Sequence, residues 1–201
     1  MIEAVFLDLD DTLEDWNPAR EAIRKKISGY VNKKFGVGKE RFLKTFHDVE
    51  YSFIGKSLKP LDYGRKKWFA EAFRRLGIKA GKEDIERLEK LYWETGLAKI
   101  RANPGAAEFL KGLKKCRKII VTDSDGDADN RLKNRKIMLL GIRKYFDMVV
   151  TSNDTGRNKP DKKLWKKAIV KFGLDPKKCV MIGDKPEMLS LIHISEPTRP
   201  Y

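Results

Sequence analysis

Two carboxylates stand two positions apart near the start of the chain, directly after a short apolar run. Residues 3–7 read EAVFL, with β-branched and aromatic character that predicts a buried strand, and Asp8 and Asp10 follow it. Alternation along a strand puts these two side chains on the same side, with Leu9 opposite. Close carboxylates repel each other, and a hard divalent cation with oxygen ligands relieves that repulsion. The pair therefore indicates a magnesium-type site at a strand end.

Three later apolar runs also end in polar residues. The runs are KIIVT at 118–122, YFDMVVT at 145–151 and CVMI at 179–182, and each predicts a strand. The polar residues at their ends are Thr122 with Asp123, Ser152 with Asp154, and Gly183 with Asp184. Because ligands bind outside the carboxyl ends of the strands of an open α/β sheet, four such loops on one edge predict one shared site.

The elements around these strands predict two structural units. Strands that alternate with helices favour right-handed crossovers and a parallel sheet, so residues 1–13 and 100–188 are expected to form one Rossmann-like α/β core. Residues 14–99 show helical periodicity broken by Gly and Pro and carry no strand signal. We expect this block to be an inserted α-helical cap domain that covers the carboxyl edge of the sheet and excludes water from it.

Four segments resemble, in order, the motifs of the haloacid dehalogenase (HAD) superfamily. DLDDTL at 8–13 matches the first motif, and KIIVTD at 118–123 looks like the second, a strand ending in Ser or Thr. NKPD at 158–161 looks like the third motif, and VMIGDKPEM at 180–188 looks like the start of the fourth. The resemblance covers residues 1–188, and the helical block lies between the first two motifs, where many family members carry a helical cap.

The resemblance implies roles for three aspartates. Asp8 would attack phosphorus and form an aspartyl-phosphate, and Asp10 would act as general acid and then general base. Asp8, the backbone carbonyl of Asp10 and the carboxylate of Asp184 would hold Mg²⁺. These roles agree with the position of the first two aspartates at one strand end.

The resemblance also implies the residues that bind the phosphoryl group. Thr122 and Lys159 would hold its oxygens, and Lys159 would offset the charge of Asp8. Asp123, next to Thr122 at the same strand end, is a further candidate for substrate binding. The implied reaction is magnesium-dependent hydrolysis of a small phosphorylated metabolite. A phosphosugar mutase of the same superfamily uses the same two aspartates, so the motifs leave that alternative open.

The net charge of +15 in 201 residues raises an alternative from another class, a nucleic-acid-binding protein on an inactive hydrolase scaffold. Lys and Arg are dispersed along the chain and mixed with Glu rather than gathered in a basic arm, so nucleic acid is not the expected partner. No apolar run approaches the roughly 20 residues that span a bilayer. The first residues, MIEAVFLDLD, lack the pattern of a signal peptide. We therefore expect a cytoplasmic protein without a membrane partner.

The last thirteen residues, LSLIHISEPTRPY at 189–201, resemble the translation of a common transposase sequencing adapter. The fourth family motif continues to a second acidic residue four or five positions after its GD, where Met188 and Leu189 stand here. We expect 189–201 to be an artefactual tail and the native sequence to stop near Met188. The strand that follows in the family would then be missing, which would leave the run 179–182 at a sheet edge.

Overall fold

The computed structural model of the chain describes residues 1–54, 56 and 59–185. Its strands are β1 (Ala4–Leu7), β2 (Glu14–Asp15), β3 (Arg101–Ala102), β4 (Arg117–Thr122), β5 (Met148–Thr151) and β6 (Cys179–Ile182). Its helices are α1 (Asn17–Phe35), α2 (Lys39–Phe53), α3 (Arg65–Leu76), α4 (Lys82–Leu97), α5 (Ala106–Gly112), α6 (Arg131–Leu139) and α7 (Lys163–Phe172). Short 3-10 turns lie at Pro60–Tyr63, Arg143–Tyr145, Ser152–Asp154 and Pro176–Lys178.

The central sheet is parallel, with the strand order β5-β4-β1-β6. All four residues of β1 are buried, as a strand covered on both faces of a parallel sheet requires. Phe6 and Ile119 pack on one face with Trp165 of α7, and Leu7 and Ile120 pack on the other. The predicted Rossmann-like α/β fold is thereby confirmed. Among the described strands, β6 pairs only with β1 and forms an edge of the sheet.

Helices α1 to α4 pack on one another around an apolar cluster of their own. Helix α1 contacts α2 and α4, and α3 contacts the same two helices. The cluster includes Ile27, Phe42, Phe69 and Leu88, all fully buried. Their burial follows from the apolar stripe that each helix carries. The helices therefore agree with the predicted periodicity.

A short antiparallel ribbon joins the helical block to the sheet. Glu14 lies opposite Ala102 and Asp15 lies opposite Arg101, where the chain leaves the core and where it returns. The guanidinium of Arg101 binds the carboxylate of Asp15 at 2.6 Å. The prediction that residues 14–99 contain no strand is wrong at 14–15. Two residues are too few to show alternation, and their pairing depends on a partner far along the chain.

Two acidic side chains bind the first turn of helix α6. The helix begins at Arg131. A carboxylate oxygen of Asp127 accepts a hydrogen bond from the backbone N–H of Leu132 at 2.9 Å, and Asp129 accepts one from that of Arg131 at 3.3 Å. Both acidic side chains therefore satisfy first-turn N–H groups, as expected near a helix N-terminus.

Three further features concern the cysteines, the membrane and the C-terminus. Cys116 and Cys179 are free thiols. No helix within the described part of the chain is long and apolar enough to cross a membrane. The predicted tail at 189–201, and the residues before it from 186 to 188, lie outside the described residues. The predicted loss of a following strand therefore stays a prediction.

Candidate active site

The carboxyl ends of β4, β1 and β6 bring predicted site residues to one edge of the sheet. β1 lies between the other two strands, with Leu7 level with Ile120 on one side and with Ile182 on the other. The backbone N–H of Asp8 continues this pairing and donates to the carbonyl of Ile182 at 2.9 Å. The side chain of Asp8 therefore stands at the middle of the edge, where the topology of a parallel sheet places ligands.

Asp8 forms a buried ion pair with Lys159. The Oδ2 atom of Asp8 is 2.7 Å from the Nζ atom of Lys159, and the two residues are only 5% and 4% exposed. The other carboxylate oxygen, Oδ1, accepts the backbone N–H of Leu9 at 2.7 Å. Burial raises the pKa of Asp8, and the charge of Lys159 lowers it in part. The loop before α7 thus delivers one cation directly to the predicted nucleophile.

Asp123 holds the loop that carries Lys159. Its Oδ1 atom accepts the backbone N–H of Lys159 at 2.8 Å, and burial raises the pKa of Asp123 to about 6. The next residue, Ser124, donates its backbone N–H to the hydroxyl of Ser152 at 2.8 Å, which ties the ends of β4 and β5 together. The sequence suggested Asp123 as a substrate-binding residue. In the structure this carboxylate binds the backbone of the Lys159 loop.

Thr122 and Asp10 are neighbours. The hydroxyl of Thr122 lies 3.3 Å from Oδ2 of Asp10 and 3.3 Å from the carbonyl of Asp123, and Thr122 is fully buried. The Asp10 carboxylate is also bound by the ammonium groups of Lys133 and Lys136. Burial raises the pKa of Asp10, but these two lysines outweigh it and hold the pKa well below its usual range.

Asp184 follows β6, and among the described residues its side chain shares no ion pair with this network. Its carboxylate is 3.7 Å from the ammonium of Lys185 and is partly exposed. Within the described residues, no group of three or more His, Cys, Asp or Glu side chains is arranged to hold a metal ion. The donors at the site are nevertheless of the type that Mg²⁺ takes, since that ion usually binds one or two carboxylates and keeps several waters. Burial disfavours the charged form of Asp8 even with Lys159 beside it, which fits a site completed by Mg²⁺.

The sequence did not reveal the two buried lysines. Lys133 and Lys136 lie one helical turn apart on α6 and are 0% and 2% exposed. They also face the carboxylate of Asp125, at 3.2 Å and 3.6 Å respectively. In a chain with 44 Lys and Arg residues, two lysines at i and i+3 are typical of a solvated helix face. The available signal was that Asp8 and Asp10 stand close together at one strand end, where neighbouring cations would relieve their repulsion.

Arg65 of α3 reaches the same network from the helical block. Its guanidinium is 3.9 Å from Oδ1 of Asp125, and the residue is buried. The guanidinium carbon also lies 4.1 Å from the ring centroid of Trp68 and 4.8 Å from that of Trp93. Aromatic faces attract a cation in this position. Arg65 therefore links the aromatic cluster of the helical block to the loop after β4.

Comparison with known proteins agrees with this geometry. The family described as haloacid dehalogenase-like hydrolase matches residues 2–188. The chain belongs to this family. Glyceraldehyde 3-phosphate phosphatases of Pyrococcus abyssi and Pyrococcus furiosus are 30% and 28% identical to it, over 92% of this chain and 74% and 73% of their own lengths. A HAD phosphatase structure from Thermococcus onnurineus superposes with a TM-score of 0.62 at 22% identity, covering 93% of this chain and 79% of that one, and shares its fold.

These relatives also decide the class of enzyme. The chain is a HAD-family phosphatase, and the predicted family and enzyme class are confirmed. The alternative of a nucleic-acid-binding protein on an inactive hydrolase scaffold finds no support among these relatives.

Proposed function

We propose that the protein is a magnesium-dependent phosphomonoesterase that acts on a small phosphorylated metabolite through an aspartyl-phosphate on Asp8. The observation that carries the proposal is the buried pair of Asp8 and Lys159 at the middle of the carboxyl edge of the sheet. A carboxylate in this place can attack phosphorus, and an ammonium group beside it can neutralise a phosphoryl oxygen. The phosphatase names of the relatives support hydrolysis over the mutase alternative.

The reaction divides into two displacements. In the first, a carboxylate oxygen of Asp8 attacks phosphorus, the bond to the leaving oxygen breaks, and Asp10 gives that oxygen a proton. In the second, Asp10 takes a proton from water as the water oxygen attacks phosphorus. The bond between Asp8 and phosphorus then breaks, which releases inorganic phosphate and restores the carboxylate of Asp8 and the protonated carboxyl group of Asp10. The hydroxyl of Thr122 and the ammonium of Lys159 bind phosphoryl oxygens throughout.

Asp8, the backbone carbonyl of Asp10 and Asp184 would hold Mg²⁺, which neutralises negative charge on the transferring phosphoryl group when bound. Asp8 and Asp184 come from neighbouring strands, since β1 pairs with β6. All three donors are oxygens, which suits a hard cation. The ammonium group of Lys159, beside Asp8, also neutralises negative charge on the phosphoryl group.

The helices α1 to α4 act in this proposal as a cap over the carboxyl edge. Two contacts from the turn before α3 support that arrangement. The side-chain amide of Asn158, next to Lys159, donates to the carbonyl of Lys59 at 3.1 Å. The backbones of Gly64 and Gly126 approach so closely that a Cβ atom on Gly126 would lie 2.1 Å from the nitrogen of Gly64. A cap seated on the loops that carry the site excludes water during phosphoryl transfer.

The substrate class rests on the relatives and on the burial of the nucleophile. Relatives named glyceraldehyde 3-phosphate phosphatase make phosphorylated three-carbon compounds the first class to test. The burial of Asp8 favours a small phosphate ester over a phosphorylated protein. The cytoplasmic location expected from the sequence stays a prediction.

The test is hydrolysis of an aryl phosphate and a panel of phosphorylated metabolites, with Mg²⁺ and in chelator. Asp8→Asn should abolish activity, and Asp10→Asn should reduce it by about 10²-fold or more, as loss of a general acid/base does. Asp11→Asn is the matched control, because Asp11 stands beside these residues but binds the exposed Arg20 at 2.9 Å. Full activity in chelator, or in the Asp8 variant, would contradict the proposal.

A further inference from the structure

Two lysines of α6 bind one carboxylate, that of Asp10. The Nζ atom of Lys133 lies 2.6 Å from Oδ2 of Asp10, and that of Lys136 lies 2.9 Å from Oδ1. Each carboxylate oxygen therefore receives its own ammonium group. A side chain held at both oxygens has one orientation, because any rotation about its terminal torsion breaks a charge-assisted hydrogen bond.

The burial of these lysines has a free-energy cost that a purely structural helix face would avoid. Moving an ammonium group out of water costs several kcal/mol unless it is paired and hydrogen-bonded. Helix α6 also carries Arg131 and Arg135, which are exposed, so the helix has a solvated side on which cations carry no such cost. The pairing of Lys133 and Lys136 with carboxylates near the reacting groups offsets the cost.

The surroundings of the two lysines enclose them without covering Asp10. Asp125 faces both ammonium groups, and Oε1 of Glu14 lies 3.6 Å from Lys136. The ring centroid of Trp16 is 4.2 Å from the same ammonium. The lysines are thus enclosed, whereas the side chain of Asp10 is still 38% exposed. The exposed part of this carboxylate is free to meet a substrate oxygen or a water molecule.

We propose that Lys133 and Lys136 are positioning residues that fix the carboxylate of Asp10 for proton transfer. The inference rests on the proposed role of Asp10 as general acid/base. Proton transfer depends on heavy-atom distances of about 2.6–3.2 Å, so an acid/base that rotates freely spends most of its time outside that range. Helix α6 thereby sets the orientation of the Asp10 carboxylate, which lies after the end of β1. The opposing view is that the two lysines only attach α6 to the core.

A double-mutant cycle on kcat/KM separates these two views. Lys133→Met and Lys136→Met are made singly, in wild type and in Asp10→Asn, with Arg135→Met as the matched control on the exposed side of α6. Each lysine variant should lower kcat/KM about tenfold in wild type and less than about twofold in Asp10→Asn, because residues that act through one another are non-additive. Arg135→Met should be within about twofold of wild type. Equal losses in both backgrounds would overturn the inference.

The identity of the leaving group provides a readout that a structural role would not move. An alkyl phosphate needs a proton on its leaving oxygen far more than p-nitrophenyl phosphate does, so Asp10→Asn should lower kcat/KM most for the alkyl ester. The lysine variants should show the same ranking at smaller amplitude. If Asp10→Asn shows no ranking, the proposed function fails. If Asp10→Asn shows it and the lysine variants lower both substrates equally, the role of the lysines fails.

Folding is controlled in the same set of variants. Lys133→Met leaves Asp10 and Asp125 without one shared cation, so Lys133→Gln is made in parallel because its amide still donates a hydrogen bond. Melting temperatures are measured for every variant with magnesium and in chelator. Lys133→Met in the Asp10→Asn background should melt above Lys133→Met alone, since that background removes a carboxylate that has lost one of its two cations. A lower melting temperature there would contradict the direct pairing on which the inference depends.

Discussion

Replacement of Lys159 by Met should destabilise the folded protein by leaving the charge of Asp8 buried and unpaired. The two charged atoms are 2.7 Å apart and both side chains are almost fully buried. At that distance, with an effective dielectric constant of about 20, two unit charges attract by about 6 kcal/mol. Desolvation of both ions offsets part of this, and breaking a buried pair from one side typically costs about 3–5 kcal/mol. We expect a loss of that size, or a fall in Tm of about 6–20 °C for a chain of this length.

Thermal unfolding in chelator measures this loss, with two comparisons. Lys159→Met in the Asp8→Asn background should regain at least about 2 kcal/mol, because no unpaired charge is left. Lys178→Met is the matched control, since Lys178 pairs with Glu3 at 3.0 Å on an exposed surface. Its loss should be small, because exposed ion pairs contribute little to stability. If the double variant is no more stable than Lys159→Met, the loss comes from packing rather than from charge.

The pH dependence of stability tests the same argument independently. The pKa of Asp8 is raised in the folded state, so the folded state binds more protons than the unfolded state. The stability that Asp8 contributes is therefore greatest below its ordinary pKa and declines as pH rises through the folded value. Without Lys159 the folded pKa should rise further, so the deficit of Lys159→Met should be small near about pH 4 and large near about pH 8. A deficit that is equal at both values would refute the reasoning.

Two further predictions concern the contact between the helical block and the core, and a buried acid. Gly126→Ala should lower Tm and activity together, because its φ is +85° and the new Cβ would overlap the backbone of Gly64. Gly64→Ala should have a milder effect, because the φ of Gly64 is negative. Thermal unfolding and kcat/KM of both variants check this, and equal effects would contradict it. Glu14 is fully buried, and burial raises its pKa to about 8 from an ordinary 4.5, so its contribution to stability falls as pH rises between those values. The Tm of Glu14→Gln relative to wild type should therefore increase over that range, and a constant difference would show that Glu14 does not titrate there.

The order of elements and the position of Asp8 and Asp10 followed from the sequence. Apolar runs of four to seven residues between helical segments predict a parallel sheet, and β1, β4, β5 and β6 have that arrangement. Asp8 directly follows β1, and a strand end in such a sheet is a ligand site whatever the rest of the chain does. Lys159 was found through its place before Pro160 in a segment that resembles a family motif, and the structure places it on Asp8.

The partners of Asp10 and Asp123 could not be read from the sequence. Lys133 and Lys136 stand more than 120 positions from Asp10, and a pair of lysines on a helix has the same pattern whether it faces water or a carboxylate. The start of α6 at Arg131 depends on the side chains that bind its first turn, and periodicity locates helix ends poorly. The ribbon of β2 and β3 likewise exists only because the two crossings between helical block and core lie side by side.

Local pattern thus determined which residues could react, and tertiary packing decided what each one faces. A strand that is apolar on both sides must be buried, so the carboxylate at its end is fixed in place by the sequence alone. The charge state and orientation of a buried carboxylate depend instead on which cations lie within a few ångströms of it. For Asp8 and Asp10 those cations come from α6 and from the loop before α7, and only the folded chain brings them to the end of β1.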